Sequence, residues 1–496
     1  MTAINRTAEL TSESQAVVQP ARLPTGDKIV IGTLLVATFV VILNETIMNV
    51  ALPQLMGDLR VSASTVQWLS TAFLLTMGVV IPTTGFLLQR LPTRTVFLLA
   101  MGLFSSGTFL AAVAQGFWML LAARVVQASG TAIMLPLLMT TILTLVPASR
   151  RGVVMGNVSI VISVAPAIGP TVSGIILQYL SWRFMFVLVL PIALTALLLG
   201  ARLLGTVSKP GQQRLDVFSV LLSVPAFGGL VYGLSRLGEG GGEGLGAALA
   251  FVAVGVLCLL AFGRRQLRLA RGGDPLLDLR AFRYPMFSLS LTLLCITMVA
   301  LFGMIILLPI YLQTIRGLDT LQTGLLLLPG GLLMGLLGPV VGRLFDRYGP
   351  RVLATFGSVL LVFTMWRFST LDAGTPIWLL VAYHLALSMG LACLFTPAFT
   401  TALNPLPPSL HSHGSAILST LQQVAGAAGT ALLVGIMAGR TASLTGTGTP
   451  ALAAQGEGLQ TAFGVATFVA FGAVACALFL RNDSTSDVAP AERAVH

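Results

Sequence analysis

The sequence predicts an all-helical membrane protein of fourteen spans, and three observations carry that expectation. Only 9% of the 496 residues are charged and 55% are hydrophobic, against roughly 25% charged in a soluble domain. Fourteen stretches reach the roughly 20 apolar residues that a helix needs to cross a hydrocarbon core. The basic residues are shared unevenly between the two sets of loops. Of the 28 Lys and Arg, 21 fall on the side holding the N-terminus, 6 on the other, and Arg124 lies within a span. Such asymmetry sets orientation, so both termini are expected in the cytoplasm of a multi-pass, bacterial-type cell-membrane protein.

In order, the spans are expected at 29–53, 65–89, 94–114, 117–146, 152–178, 183–205, 215–236, 244–263, 286–313, 320–342, 351–370, 376–400, 414–438 and 459–480. Gly-rich residues 238–246 separate the seventh from the eighth. Residues 1–27 are polar and mixed, without a signal-peptide core, and are expected to be disordered, as is the tail after Arg481. Two loops repeat one pattern: Gly85-Phe86-Leu87-Leu88-Gln89-Arg90-Leu91-Pro92-Thr93-Arg94 and Gly342-Arg343-Leu344-Phe345-Asp346-Arg347-Tyr348-Gly349-Pro350-Arg351. Each follows the second helix of a six-helix block, the mark of two parallel halves. The expected organisation is a tail at 1–27, a first half at 28–205, two inserted spans with their linkers at 206–285, a second half at 286–480 and a tail at 481–496.

The net charge of +11 is no sign of nucleic acid, because the excess sits in short loops on one side. Its largest cluster is Arg264, Arg265, Arg268, Arg271, Arg280 and Arg283, for which anionic lipid headgroups are the simple partner. Cys258, Cys295, Cys393 and Cys476 all fall in spans and read as small apolar packers, with no disulfide or metal spacing. His411 and His413 share a polar loop with no further ligands. No Walker loop, zinc pattern or nucleophile arrangement occurs, so neither an enzyme nor an ATP-driven machine is expected, and no cofactor.

Glu45 carries the most chemistry. It is the one carboxylate well inside a span, within Leu43-Asn44-Glu45-Thr46-Ile47-Met48-Asn49. Placing such a group in hydrocarbon costs about 2.5–3.5 kcal/mol on insertion scales. Thr38, Glu45 and Asn49 share one helix face, so that stripe should meet a bundle interior or a wet cavity. Two readings follow: a hydrogen-bonding residue between helices, or a site for a proton or a cation. Desolvation disfavours its charged form and a nearby cation favours it.

Arg124 is the natural counter-charge. Glu45 lies eight residues before Pro53, and Arg124 seven or eight after Gly116 or Phe117. At 1.5 Å per residue both sit roughly 12 Å below the same surface. The alternative is an arginine snorkelling to that surface. Gln127, nearly a turn away, can hydrogen-bond either partner.

Gly169, Pro170 and Gly174 read as structural: the proline removes a backbone donor and kinks the helix, and the small residues allow close helix approach. Arg90, Arg94, Arg343, Asp346, Arg347 and Arg351 are gate and orientation candidates that can meet helix ends across the halves. Plain positive-inside charge also accounts for the arginines, but not for Asp346. Trp68, Tyr311, Gln313, His384, Phe395, Gln422 and Gln423 join Asn44 and Asn49 as cavity candidates; packing and lipid contact are the competing roles for an aromatic in a span.

Together these motifs resemble the major facilitator superfamily, and within it the fourteen-span drug:proton antiporters of the EmrB/QacA type. The family's first-span pattern, Leu-Asp-x-Thr-Ile-Val-Asn-Val-Ala-Leu-Pro, is similar to Leu43 through Pro53. Its fourth-span Arg-x-x-Gln matches Arg124 and Gln127. Its fifth-span antiporter motif matches Gly156, Ala165 and Gly169-Pro170-Thr171-Val172-Ser173-Gly174. Asp274-Pro275-Leu276-Leu277-Asp278-Leu279 and His413-Gly414-Ser415-Ala416 also resemble the family. There are two departures. The family's first-span acid aligns with Asn44, one residue before Glu45, a turn of about 100° on a helix; this variant resembles the lincomycin-exporter branch. The first loop copy has Gln89 where Asp is usual.

The resemblance implies a monomeric exporter of lipophilic, often cationic compounds, driven by a proton gradient, with Glu45, Arg124 and Gln127 in proton coupling. It also implies a hinge at Gly169-Pro170. Export of an endogenous lipid, peptide or metabolite is the alternative within transport, and a non-transporting scaffold or receptor the alternative outside it.

Overall fold

Fourteen helices are long and apolar enough to cross a membrane in the computed structural model, which describes residues 24–147, 150–205, 216–238, 244–272 and 275–481. Those residues contain no strand. The tails expected to be disordered lie almost wholly outside them. The first six spans are Thr25–Leu59, Ala63–Arg90, Thr93–Ala112, Phe117–Leu145, Arg151–Tyr179 and Arg183–Leu203. Spans nine to fourteen are Pro285–Ile310, Thr320–Tyr348, Pro350–Phe368, Ile377–Leu403, His411–Gly446 and Ala451–Phe479.

The inserted pair lies between them. Span seven is Val217–Ser223, a π-helical turn at Val224–Gly228, then Gly229–Gly238; span eight is Leu245–Gly272. Pro225 accounts for the wide turn, since it lacks the N–H that a regular α-helical turn uses.

Several helices outrun their apolar stretches. Span one continues through position 53 and stops at Arg60, the one non-glycine described residue with positive φ. Spans eight, thirteen and fourteen also carry extra polar turns. Hydropathy marks only the part in hydrocarbon, whereas backbone hydrogen bonding continues as long as nothing interrupts it.

The two six-helix halves meet most extensively where span five lies along span ten. Glycine makes that seam. A methyl group added at Gly156 would strike the Gly338 carbonyl, and one at Gly152 or Gly342 would strike the other helix. Gly335 lies against Val164 in the same way. Without side chains the backbones approach, and van der Waals contact replaces the hydrophobic drive that lipid cannot supply.

Hydrogen bonds clasp the same end. Asp346 accepts from the Gly152 and Val153 amides at 3.2 and 3.3 Å, capping the start of span five. Arg151 donates to Asn404 Oδ1 at 2.9 Å, and the Ser159 and Thr396 hydroxyls are 2.7 Å apart. Gln89 Nε2 donates to the Ser409 carbonyl at 3.1 Å. All four contacts cross between halves, three of them near the repeated loops and Ser159–Thr396 about two turns deeper, so the halves are sealed at that end.

A polar clasp ties down the inserted pair. Gln266, fully buried, accepts from the Leu276 and Leu277 amides at 2.8 and 3.2 Å and donates to Ser219 at 2.7 Å. Beside it Arg265 forks onto Asp216 at 2.7 and 2.8 Å. Hydrogen bonding by Arg265 holds the Asp216 carboxyl down at about 2.

Substitution at the seam should separate close approach from mere helix propensity. Gly156→Leu is expected to lower stability by about 1–3 kcal/mol, the usual cost of overpacking. Gly174→Ala, where nothing lies within 4 Å of an added methyl, is expected to leave it unchanged or slightly higher. Thermal unfolding of the two variants in one detergent measures the difference.

Candidate functional site

A charged network fills the core of the first half. Arg124, on span four, is 1% exposed. Its Nη1 donates to Gln127 Oε1 at 2.6 Å and to Asn44 Oδ1 at 3.4 Å, and its Nε to the Leu69 carbonyl at 3.5 Å. The guanidinium carbon stands 3.9 Å from the Phe73 ring centroid, a cation–π contact in a desolvated setting. Gln127 in turn donates to Thr108 Oγ1 at 2.8 Å. Spans one, two, three and four therefore each supply a partner. Helical spacing explains the inner pair, since Arg124 and Gln127 stand three residues apart on one face.

Glu45 does not pair directly with its expected counter-charge. Among the described residues no ion pair joins it to Arg124, and the guanidinium is taken by Asn44 instead. Glu45 is half-buried, while Asn44 is 2% exposed. Depth along a helix was the same for both residues of the Asn44–Glu45 step; the turn of about 100° between them decides which one meets the arginine.

Thr46, next in sequence, turns to span five. Its Oγ1 donates to the Leu43 carbonyl at 2.9 Å and reaches the Ala165 carbonyl at 3.5 Å. A methyl group added at Gly169 would collide with that hydroxyl. The small residues of span five thus pack against span one beside Glu45. Gly174 makes no such approach, contrary to its expected part in close packing. The span-five helix is continuous through position 170, whose side chain, like that of Asn49, lies outside the described residues. Thr38 is wholly buried and its hydroxyl has no partner among the described residues.

Other expected site residues scatter. Phe395 is fully buried against Phe399, in core rather than on a cavity wall. Tyr311 is also buried, its hydroxyl donating to the Asp372 carbonyl at 2.6 Å. His384 packs on span ten, with Nε2 3.1 Å from the Leu327 carbonyl and its ring against Gly330. Trp68 stacks on Tyr232 of the inserted span seven, at 5.5 Å between centroids. Gln313 is exposed at the π-helical end of span nine. Gln422 is buried with Nε2 unpaired, and Gln423 is half-buried. These residues do not form one lining.

Of the gate candidates, Asp346 is seen reaching across the halves, as is Gln89 of the first loop copy. Arg94 donates to the Ala201 carbonyl at 2.5 Å and Arg343 to the Pro339 carbonyl of its own helix at 3.3 Å. Arg90 lies over Phe86 and Arg347 over Tyr348. Partners not foreseen from the sequence are Phe73, Thr108, the Leu69 carbonyl, Asn404 and Thr396. Only the glycine-rich face of span ten offered a sequence signal, and that pointed to the seam.

Two parallel six-helix halves around a buried polar core define a secondary-transporter fold. The chain belongs to the Major Facilitator Superfamily, whose family model matches residues 34–430. It is 41% identical over 457 residues to the lincomycin resistance protein LmrB of Bacillus subtilis (strain 168), covering 91% of this chain and 95% of that protein. It is 29% identical over 398 residues to the multidrug export protein EmrB of Haemophilus influenzae, covering 80% and 78%. Among solved structures it is similar to the human organic anion transporter MFSD10 (TETRAN), with a TM-score of 0.62, 16% identity, and coverage of 90% and 100%. That likeness shows the fold.

Gln127→Leu removes the shortest bond to Arg124 and the bond that Thr108 accepts, while the Thr108 hydroxyl keeps its own bond to the Phe104 carbonyl at 2.7 Å. A loss of about 1–3 kcal/mol is expected, the cost of leaving buried polar groups unpaired. A Gln127→Glu variant, which still accepts from the guanidinium, should lose less in the same thermal-unfolding assay.

Proposed function

We propose that the protein exports lipophilic, often cationic compounds from a bacterial cell in exchange for protons, as a monomer with both termini in the cytoplasm. The carrying observation is the contrast between Glu45 and Arg124. The arginine is buried and hydrogen-bonded in place, while the neighbouring acid has no fixed partner among the described residues. A carboxylate so placed can gain and lose a proton without dismantling the core. The kinship with lincomycin resistance and multidrug export proteins supports the substrate class.

The cycle follows from alternating access, with the halves rocking about a midplane site. Facing outward, Glu45 takes up a proton and releases its substrate. Facing inward, it loses the proton and pairs with the next cation. A neutral compound couples through the change in hydration and conformation instead. With the N-terminus inside, the sealed end is the cytoplasmic one, and Glu45 lies toward the opposite surface. The proton gradient is the energy source.

Reconstituted protein with an imposed pH gradient tests the exchange, with lincomycin and ethidium as probes. Glu45→Gln is expected to melt like the parent and to move substrate no faster than empty liposomes. Undiminished gradient-driven transport by that variant would sink the proposal. Adding Asn44→Asp to Glu45→Gln places an acid on Arg124, where it is held as an ion pair. That double variant is expected not to recover transport, and recovery would show that the position of the acid is immaterial.

A further inference from the structure

Where span eight ends and the linker to span nine begins, the surface forms a groove of about 510 Å³ lined by Leu267, Arg271, Leu279, Arg280, Phe282 and Arg283. One wall is apolar and exposed: Leu267 is 56% and Phe282 41% exposed. The other is basic. Its three arginines differ in state. Arg280 is committed to Asp278, with bonds at 2.8 and 2.9 Å to a carboxylate that is 2% exposed. Burial raises the Asp278 carboxyl, but hydrogen bonds from the Arg280 side chain and backbone outweigh it and hold the group below the usual carboxylate range. Arg280 is therefore neutralised.

Arg271 and Arg283 are exposed and make no ion pair or hydrogen bond among the described residues. Arg264 and Arg268 continue the Arg271 stripe along span eight, at spacings of three and four residues that put them on one helix face. Asp274, the linker's other acid, lies outside the described residues.

The groove is also held in shape. The linker amides of Leu276 and Leu277 are fixed on Gln266 of span eight, and Asp278 caps the short turn Leu279–Arg283 through the Arg280 amide at 2.9 Å. Phe282 packs edge-on against Phe287 of span nine, at 5.6 Å between centroids. Uncommitted guanidinium forks beside a fixed apolar wall, at the end of a membrane-crossing helix, complement an amphiphile with an anionic head.

We propose that this groove binds an anionic glycerophospholipid from the adjacent leaflet, its phosphate between Arg271 and Arg283 and an acyl chain along Leu267, Leu279 and Phe282. The site would give the inserted pair of spans a role independent of the transport reading: a lipid there braces the linker against the bundle.

Full-length protein in detergent, titrated with dioleoyl phosphatidylglycerol, dioleoyl phosphatidylcholine or inorganic phosphate, tests the site by native mass spectrometry and thermal unfolding. Phosphatidylglycerol is expected to stay bound and to raise the melting temperature; phosphatidylcholine and phosphate are expected to do neither. Arg271→Gln with Arg283→Gln should abolish both effects, whereas Arg440→Gln, in the extended end of span thirteen, should preserve them. Arg283→Gln alone, at an exposed position, should weaken retention if the double variant folds poorly. Equal stabilisation by phosphatidylcholine or by phosphate, or undiminished phosphatidylglycerol retention in both arginine variants, would overturn the proposal.

Discussion

A guanidinium closed off from solvent inside the first half is the constraint around which that half is arranged. Arg124 cannot give up its proton, so every contact that the lipid denies must come from protein. Asn44, Gln127 and the Leu69 carbonyl accept from it, and the Phe73 face covers it. Gln127 extends the network to Thr108, which brings in span three. Removing any acceptor leaves a buried charge poorly compensated, which costs more than the lost bond itself. None of these partners is an acid. The positive charge is solvated by dipoles, and the one nearby acid, Glu45, is left outside the hydrogen-bonded set.

That separation has a mechanical side. Span five touches span one at Thr46 through Ala165 and Gly169, directly after Glu45. The same helix forms the seam with span ten through Gly152 and Gly156. One continuous helix therefore touches the neighbourhood of Glu45 at one end and the contact between halves at the other. Coupling between distant sites needs an element whose arrangement both sites bias. In the proposed cycle span five is that element, and its glycines are what let it lie close enough to both surfaces to transmit a shift.

The spans were legible because hydrocarbon imposes length and composition on them. Asp346 was legible as more than orientation charge because an acid among arginines runs against the positive-inside trend. The partner of Arg124 was not. A rise of 1.5 Å per residue gives height in the membrane, but the direction in which Asn44 or Glu45 points depends on how span one is rotated, and packing sets that rotation. The cavity candidates depend on the same rotation. An aromatic such as Phe395 or Trp68 is at home in core, lipid or cavity, and only the neighbouring helices decide which. The clasp at Gln266 had no sequence signal, because its acceptor serves backbone amides of a linker ten residues away.

The two repeated loops show how a single substitution alters the seal. At the second copy Asp346 accepts from two amides at the start of span five, a carboxylate on the positive end of a helix, worth about 0.3–1 kcal/mol at an exposed site. At the first copy Gln89 stands in the acid's place. It donates to the Ser409 carbonyl before span thirteen, and its own Oε1 is buried without a partner. The polarity is reversed and the charge is gone. Nearby, His413 Nδ1 and the Leu276 carbonyl both face Gly85. The span-five seam is thus held by a carboxylate and close glycine packing, while a neutral amide stands in the acid's place at the span-thirteen seam. Pseudo-symmetric halves with unequal seals do not open evenly. If the sealed end must part once in each cycle, separation costs least where span two meets span thirteen, and the span-five side serves as the pivot.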